Sequence, residues 1–268
     1  MRLAVLRLLL IGTFVACLQA CACPPSAVFS VAHWSIQATV SDVGTTGTSF
    51  DPWVDDRIRV PRNVLLQGDG PVVAVLDTGV DPGHPAWQGR VLPLCDLVGT
   101  DVWRQGASSV DFRGRDGHGH GTHVTGLVLD VTSLCPGIRV LPIKAMTQAG
   151  TGDDDRLARA VQLAVRWRGP SGQRVRVINL SVGSRAPSVV LHEAIAEALR
   201  AGVLTVVAAG NRDLGVDYPA AWPEAFAVAA STRDDLLAPY SNRGPQLEMC
   251  APGGDDQDPV VSTWPSYL

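Results

Sequence analysis

Five stretches of the chain give up polar–apolar alternation and become continuous β-branched or alanine-rich runs. They are Val72–Leu76, Val140–Ile143, Val175–Leu180, Val203–Ala209 and Phe226–Ala230. Such runs mark strands covered on both faces. Helical spacing appears between several of them. Asp153, Asp154 and Asp155 open one pattern, with Leu157, Val161, Ala164 and Val165 on one face. Three carboxylates in a first turn suit the positive end of the helix dipole, although a calcium cluster is the other reading of the same three. A second pattern has Pro187 near its first turn, Leu191, Ile195 and Ala198 at helical spacing, and Gly202 as its stop. His192 on that helix reads as a surface residue. Strands alternating with helices predict an α/β fold with a mainly parallel sheet and right-handed crossovers.

The first 70 residues follow a different rule. Arg2 and Arg7 flank the short apolar run Leu8–Ala16, and small residues and cysteines follow. A basic start and an apolar stretch too short to span a bilayer predict a signal peptide over residues 1–21. Leu18-Gln19-Ala20-Cys21 resembles a lipobox, so Cys21 is either acylated or the chain is simply cleaved nearby. Residues 22–70 are rich in Ser, Thr, Asp, Pro and Gly, and read as an extended lead-in. The domain proper is predicted over 71–268.

Composition adds little but excludes something. With 46% apolar residues and 18% charged, the chain can fill one sizeable core. A net charge of −4 gives no reason to expect nucleic acid or an anionic membrane as partner. Membrane attachment is expected only through a lipid on Cys21, and the domain is expected to be a monomer. Lys144 is the only lysine, which base composition alone would explain. Export permits disulfides: with Cys21 acylated, Cys23, Cys95, Cys135 and Cys250 remain, in any of three pairings or as buried free thiols.

In open parallel sheets, functional groups collect where the strands end. Asp77 ends the first run, Ser181 and Gly183 follow the third, and Asn211 follows the fourth. The segment Asp116-Gly117-His118-Gly119-His120-Gly121-Thr122-His123-Val124 lies between the first two runs. A carboxylate, an imidazole and a carboxamide are thereby predicted to reach one edge of one sheet.

Asp77-Thr78-Gly79, His120-Gly121-Thr122-His123-Val124, Ile178-Asn179-Leu180-Ser181-Val182-Gly183 and Ala209-Gly210-Asn211 resemble subtilisin-family serine proteases, in the family's order. Tyr218-Pro219, Ser241–Pro245 and Ala251-Pro252-Gly253 extend the likeness, which runs from about Val72 to the C-terminus. The resemblance implies a three-layer αβα fold and hydrolysis of peptide bonds through an Asp-His-Ser triad. It implies Asp77 as the residue orienting the base, His120 as the general base and acid, and Asn211 as the oxyanion donor. It also implies an extended polypeptide substrate held along two edges, Gly150-Thr151-Gly152 and Ser181-Val182-Gly183. No cofactor is implied. The family's common calcium site follows a His-Pro pair with Asp, whereas His84-Pro85 is followed by Ala86 and Trp87.

One departure outweighs the rest. The family's nucleophile lies in a Gly-Thr-Ser-Met-Ala-like segment beyond the Ala-Pro-Gly motif, and the 268 residues hold no such segment. Ser262 and Ser266 lack its surroundings. These residues alone are therefore expected to be inactive and poorly stable, either as a peptide-binding relic or as a truncated product. The stretch between the signal and Val72 is also short for the family's inhibitory propeptide.

Three rival chemistries are open on the residues. His118, His120 and His123 spell a zinc-hydrolase-like H-x-H-x-x-H, although Thr122 stands where that motif carries Asp. Asp77-Thr78-Gly79 fits an aspartic-protease loop but has no second copy. The glycines at 117, 119 and 121 lack the lysine and preceding strand of a phosphate loop, and packing of a helix start against the sheet explains them. Trp222 and Trp264 line either the cleft or the core.

Overall fold

The structure is a computed structural model that describes residues 34–35, 52–58, 70–87, 89–99, 115–132 and 137–268. The signal-peptide and lipobox residues, Cys23 and Cys135 lie outside them. In chain order the elements are β1 (Trp34–Ser35), α1 (Pro52–Ile58), β2 (Val72–Asp77), β3 (Cys95–Asp96), α2 (His120–Val131), β4 (Arg139–Lys144) and β5 (Thr151–Gly152). They continue as α3 (Asp154–Arg166), β6 (Val175–Leu180), α4 (Val189–Arg200), β7 (Leu204–Ala208), β8 (Ala225–Ser231) and β9 (Leu247–Pro252).

All five apolar runs are strands of one seven-stranded sheet, ordered β3-β4-β2-β6-β7-β8-β9. Every pairing in it is parallel. The five runs are mainly apolar because both faces of the central strands are covered. On one face α3 and α4 bury Leu157, Val161, Leu191 and Ile195 against Leu76, Ile143, Ile178 and Val207. On the other α2 buries Val124, Leu127 and Val128 against Val73, Val75, Val140, Val177 and Val206, with Val54 of α1 in the same cluster. Helices on both faces of a parallel sheet make a three-layer α/β fold.

Helix boundaries follow local chemistry. Asp153 caps α3 by accepting the Arg156 N–H at 2.8 Å. The three aspartates are therefore a helix start. Ser188 caps α4, so Pro187 lies just before the helix, and Gly202 ends it at φ 74°. His192 is at the surface but not idle: it stacks on Trp222 at 4.5 Å and its Nε2 lies 2.9 Å from Glu224 Oε2.

Two findings alter the sequence reading of residues 22–70. Pro52–Ile58 is helical, and Trp34–Ser35 pairs antiparallel with Thr151–Gly152. Cys95 is buried and Cys250 carries an exposed free thiol, so the disulfide alternatives that use Cys250 are not formed. Among the described residues no helix is long and apolar enough to cross a membrane.

Candidate active site

Parallel strands lie about 4.8 Å apart. In this sheet β2, β6 and β7 are consecutive, so Asp77, Ser181 and Asn211 follow strand ends along the same edge. Asp77 is the last residue of β2 and is buried, with 1% of its surface exposed. His120 is the first residue of α2 and fully buried. Its Nδ1 lies 2.8 Å from Asp77 Oδ1 and 2.9 Å from Oδ2. A carboxylate so placed fixes the proton on Nδ1 and leaves Nε2 as the basic nitrogen.

The contact depends on how α2 begins. The first N–H groups of a helix have no partner within it. Gly119, at φ 96°, supplies no side-chain cap. Asp116 and Thr78 do this work instead. Asp116 Oδ2 accepts from the N–H and hydroxyl of Thr122, both at 2.8 Å, and Oδ1 from the N–H groups of His118 and Gly119 at 3.1 and 2.8 Å. Oδ1 also accepts the Thr78 hydroxyl at 2.7 Å, and Thr78 Oγ1 in turn accepts the Gly121 N–H at 3.0 Å. Asp116, itself fully buried, thus joins the end of β2 to the start of α2. Those are the two elements that carry Asp77 and His120. Gly121 allows the close approach: a Cβ there would run into Gly79 O.

Lys144 reinforces the same junction. Its Nζ donates to Thr78 O, and to Arg115 O at 3.2 Å. Burial lowers its pKa, against the pull of the Asp116, Asp96 and Asp77 carboxylates. The lone lysine is therefore part of the site's frame. Sequence pattern could not show this, because its partners are backbone carbonyls distant in the chain.

The two proposed substrate edges also occupy this rim. Ser181 and Val182 are buried and Gly183 is half-buried, with Ser181 Oγ accepting from Asn179 Nδ2 at 3.0 Å. Gly150 sits at φ 70°, where glycine is favoured, and a Cβ on Gly152 would strike the Met146 side chain. Asn211 lies in the turn after β7, half-buried.

The Subtilase family model matches residues 68–266. The chain belongs to the subtilase family. It is 35% identical over 232 residues to an alkaline protease of Alkalihalobacillus alcalophilus, covering 82% of this chain and 54% of that one. It is also 35% identical over 225 residues to Subtilisin Savinase of Lederbergia lenta, covering 80% and 74%. Among solved structures it resembles a cold-adapted subtilisin-like serine proteinase at a TM-score of 0.61 and 28% identity, covering 75% of this chain and 68% of that one. The chain therefore spans about half the length of the alkaline protease.

Within this subtilase domain the rival chemistries lose their geometry. His118 and His120 lie edge to face at 6.2 Å, and His120 Nδ1 faces Asp77. His123 is buried one turn further along α2, where burial holds its pKa down at about 3. Among the described residues no group of three His, Cys, Asp or Glu side chains is placed to hold a metal ion. The nearest carboxylate to Asp77 reached by a hydrogen bond is Asp116, through the Thr78 hydroxyl. That arrangement is not a pair sharing one proton.

The tryptophans divide. Trp222 is buried against Tyr218 and His192, whereas the Trp264 ring fills the space beside Gly119, next to His120. Ser262 Oγ donates to His123 O at 2.8 Å, and Ser266 Oγ to Asp81 Oδ2 at 2.8 Å. The Ser262 hydroxyl is thus committed to α2 and the Ser266 hydroxyl to the loop after β2.

Proposed function

We propose that this subtilase domain is a serine endopeptidase of extended polypeptides, exported from the cell. The observation that carries the reading is the buried contact of His120 Nδ1 with both oxygens of Asp77. In the proposed reaction, Nε2 of His120 takes the nucleophile's proton as the scissile carbonyl is attacked. It returns that proton to the leaving amine. Asp77 holds the tautomer and stabilises the imidazolium. Asn211 donates its side-chain N–H to the oxyanion, a contribution worth about 10²–10³ in kcat where such donors have been removed from serine proteases.

The strand-accepting edge has separate support. Thr151–Gly152 is already paired antiparallel with Trp34–Ser35, so its backbone groups are oriented to hold an extended chain. The nucleophile is not assigned to Ser262 or Ser266, whose hydroxyls are engaged elsewhere.

Residues 1–21 are proposed as the export signal and 71–268 as the peptidase domain, working as a monomer. Mass spectrometry of the exported N-terminus distinguishes a lipid on Cys21 from plain cleavage.

The test uses the intact protein and an internally quenched peptide. Serine-directed sulfonyl fluoride should abolish cleavage and a chelator should not. Asp77→Asn should lower kcat by about 10⁴-fold with little change in KM. Full activity in Asp77→Asn, or loss to the chelator alone, would reject the assignment.

A further inference from the structure

The His120 base stands at one end of a row of charges. β3, β4 and β2 are adjacent and end in register on Asp96, Lys144 and Asp77. Residues in register on neighbouring strands stand side by side. An ammonium therefore lies between two carboxylates, one strand away from the Asp77–His120 contact.

Lys144 is buried, and its Nζ donates to the backbone carbonyls of Thr78 and Arg115. Thr78 follows Asp77, and Arg115 precedes Asp116. The ammonium is thus tied to the chain beside each of the two carboxylates that set His120 and its helix. Carbonyls satisfy N–H donors without cancelling their charge. The carboxylates are engaged elsewhere: Asp77 on His120, Asp116 on the start of α2, and Asp96 on the N–H groups of Val98 and Gly99 at 2.8 and 3.0 Å. Lys144 therefore acts on them through its field, which a buried setting screens far less than water does.

Residue choice agrees with this. Of the 22 lysines and arginines, Lys144 is the one lysine. A guanidinium is a planar fork of five donors, whereas an ammonium is a compact charge that two carbonyls can hold.

The other groups around His120 do not supply the same charge. His118 lies edge to face with it at 6.2 Å, and His123 is one turn along α2, kept neutral by burial with its pKa at about 3. Asp81 is turned to Ser266. Arg115 is exposed, with its guanidinium over the Tyr267 ring at 4.9 Å, and burial pushes the Tyr267 phenol up to about 12. Two carboxylates thus favour an imidazolium here, and Lys144 is the buried cation that opposes them. His118 registers the same balance: burial and His120 lower its pKa, Asp77 and Asp116 raise it, and Lys144 lowers it.

We propose that Lys144 is a positioning residue of this peptidase site, whose buried ammonium opposes the charges of Asp77 and Asp116 at His120 and keeps the base unprotonated in mildly acidic solution. The step rests on the function proposed above. Its sign is fixed: removing the cation favours the imidazolium, so the base is lost at a higher pH.

The experiment uses two variants of the intact protein. Lys144→Gln keeps an N–H donor and removes the charge, whereas Lys144→Met removes both. Each should move the acid limb of kcat/KM upward by about 0.5–1 pH unit, with the plateau in Lys144→Gln within about threefold of wild type. A role in the frame alone predicts otherwise. The limb would stay in place, Lys144→Met would lose plateau activity, and Lys144→Gln would restore it. That result overturns the inference and leaves the peptidase reading intact.

NMR titration of the His120 imidazole reads the same shift without a substrate. A protein that cuts no peptide fails the peptidase reading and still tests Lys144: an upward shift in Lys144→Gln supports the charge role, and an unmoved midpoint overturns it. Should neither variant fold, the wild-type protein decides, because the coupling is reciprocal. A ¹³Cε label on lysine gives a single signal. It should be that of an ammonium at pH 7 and should step as His120 titrates. An amine signal at pH 7, or no step, overturns the inference.

Discussion

One sheet edge carries two buried carboxylates held in different ways. Asp116, beside the Asp77–His120 pair, accepts five hydrogen bonds, three of them from backbone N–H groups. Asp217, in the loop between β7 and β8, is held by the side chains of Arg212 and Asn242. The first arrangement suits a geometry that must not move, because a base displaced by an ångström loses much of its rate. The second rests on side chains, one of them partly exposed. Burial is nearly equal at the two, so burial alone does not rank them. The number and kind of their donors does.

The comparison is broken most directly at Asp116. Asp116→Ala strands the donors of Thr78, His118, Gly119 and Thr122, and should cost about 3–5 kcal/mol in denaturant unfolding. It should also loosen the Asp77–His120 contact. The low-field Nδ1–H resonance of His120 is then expected to shift or broaden. A loss below about 1 kcal/mol with that resonance unmoved would show that the junction does not depend on Asp116. Gly121→Ala is a milder test of the same junction. Its Cβ would meet the Gly79 carbonyl, which is backbone and cannot swing aside, so about 1–3 kcal/mol of overpacking is expected. The same loss of the His120 resonance should accompany it.

These residues also mark where sequence reading stopped. The central strands were legible because β2, β4, β6, β7 and β8 are buried on both faces and therefore continuously apolar. Asp77 and His120 were legible from motif and strand-end position. By contrast, β9 was missed, since Glu248, Met249 and Cys250 are exposed on an edge strand and show no buried pattern. The helix Pro52–Ile58 was hidden in a polar stretch and gains its place by inserting Val54 into the α2-side core. Asp116, Lys144 and Asp217 were not singled out for roles. Their partners are mostly far along the chain: Thr78 lies 38 residues from Asp116 and 66 from Lys144. Periodicity carries no trace of such contacts.

Within the region that Asp116 holds, His123 is the exception that sharpens the contrast. It is buried in α2, its Nδ1 makes no hydrogen bond, and burial lowers its pKa to about 3. The unfolded chain therefore takes up a proton at this residue below about pH 6.5, while the folded chain does not until about pH 3. Stability should fall as pH drops through that window, by up to about 1.4 kcal/mol per pH unit from this residue. His84 and His118, whose pKa values burial also lowers, act with the same sign. His123→Gln should flatten the slope between pH 6 and pH 4 in unfolding titrations. An unchanged slope would assign the acid sensitivity to other groups.

The smallest expected effect is the most discriminating. Asp217→Asn removes a buried charge and keeps the shape, while Arg212, partly exposed, can turn to solvent. A carboxylate that accepts five hydrogen bonds, three of them from backbone, should cost several kcal/mol to neutralise. One held by two side chains should cost less than about 1 kcal/mol, because its loss also relieves desolvation. Measured beside Asp116→Asn under identical conditions, the two substitutions should differ by at least about 2 kcal/mol, with Asp116 the larger. Equal losses would mean that backbone and side-chain donors hold a buried carboxylate alike, and the number of donors would no longer rank the two.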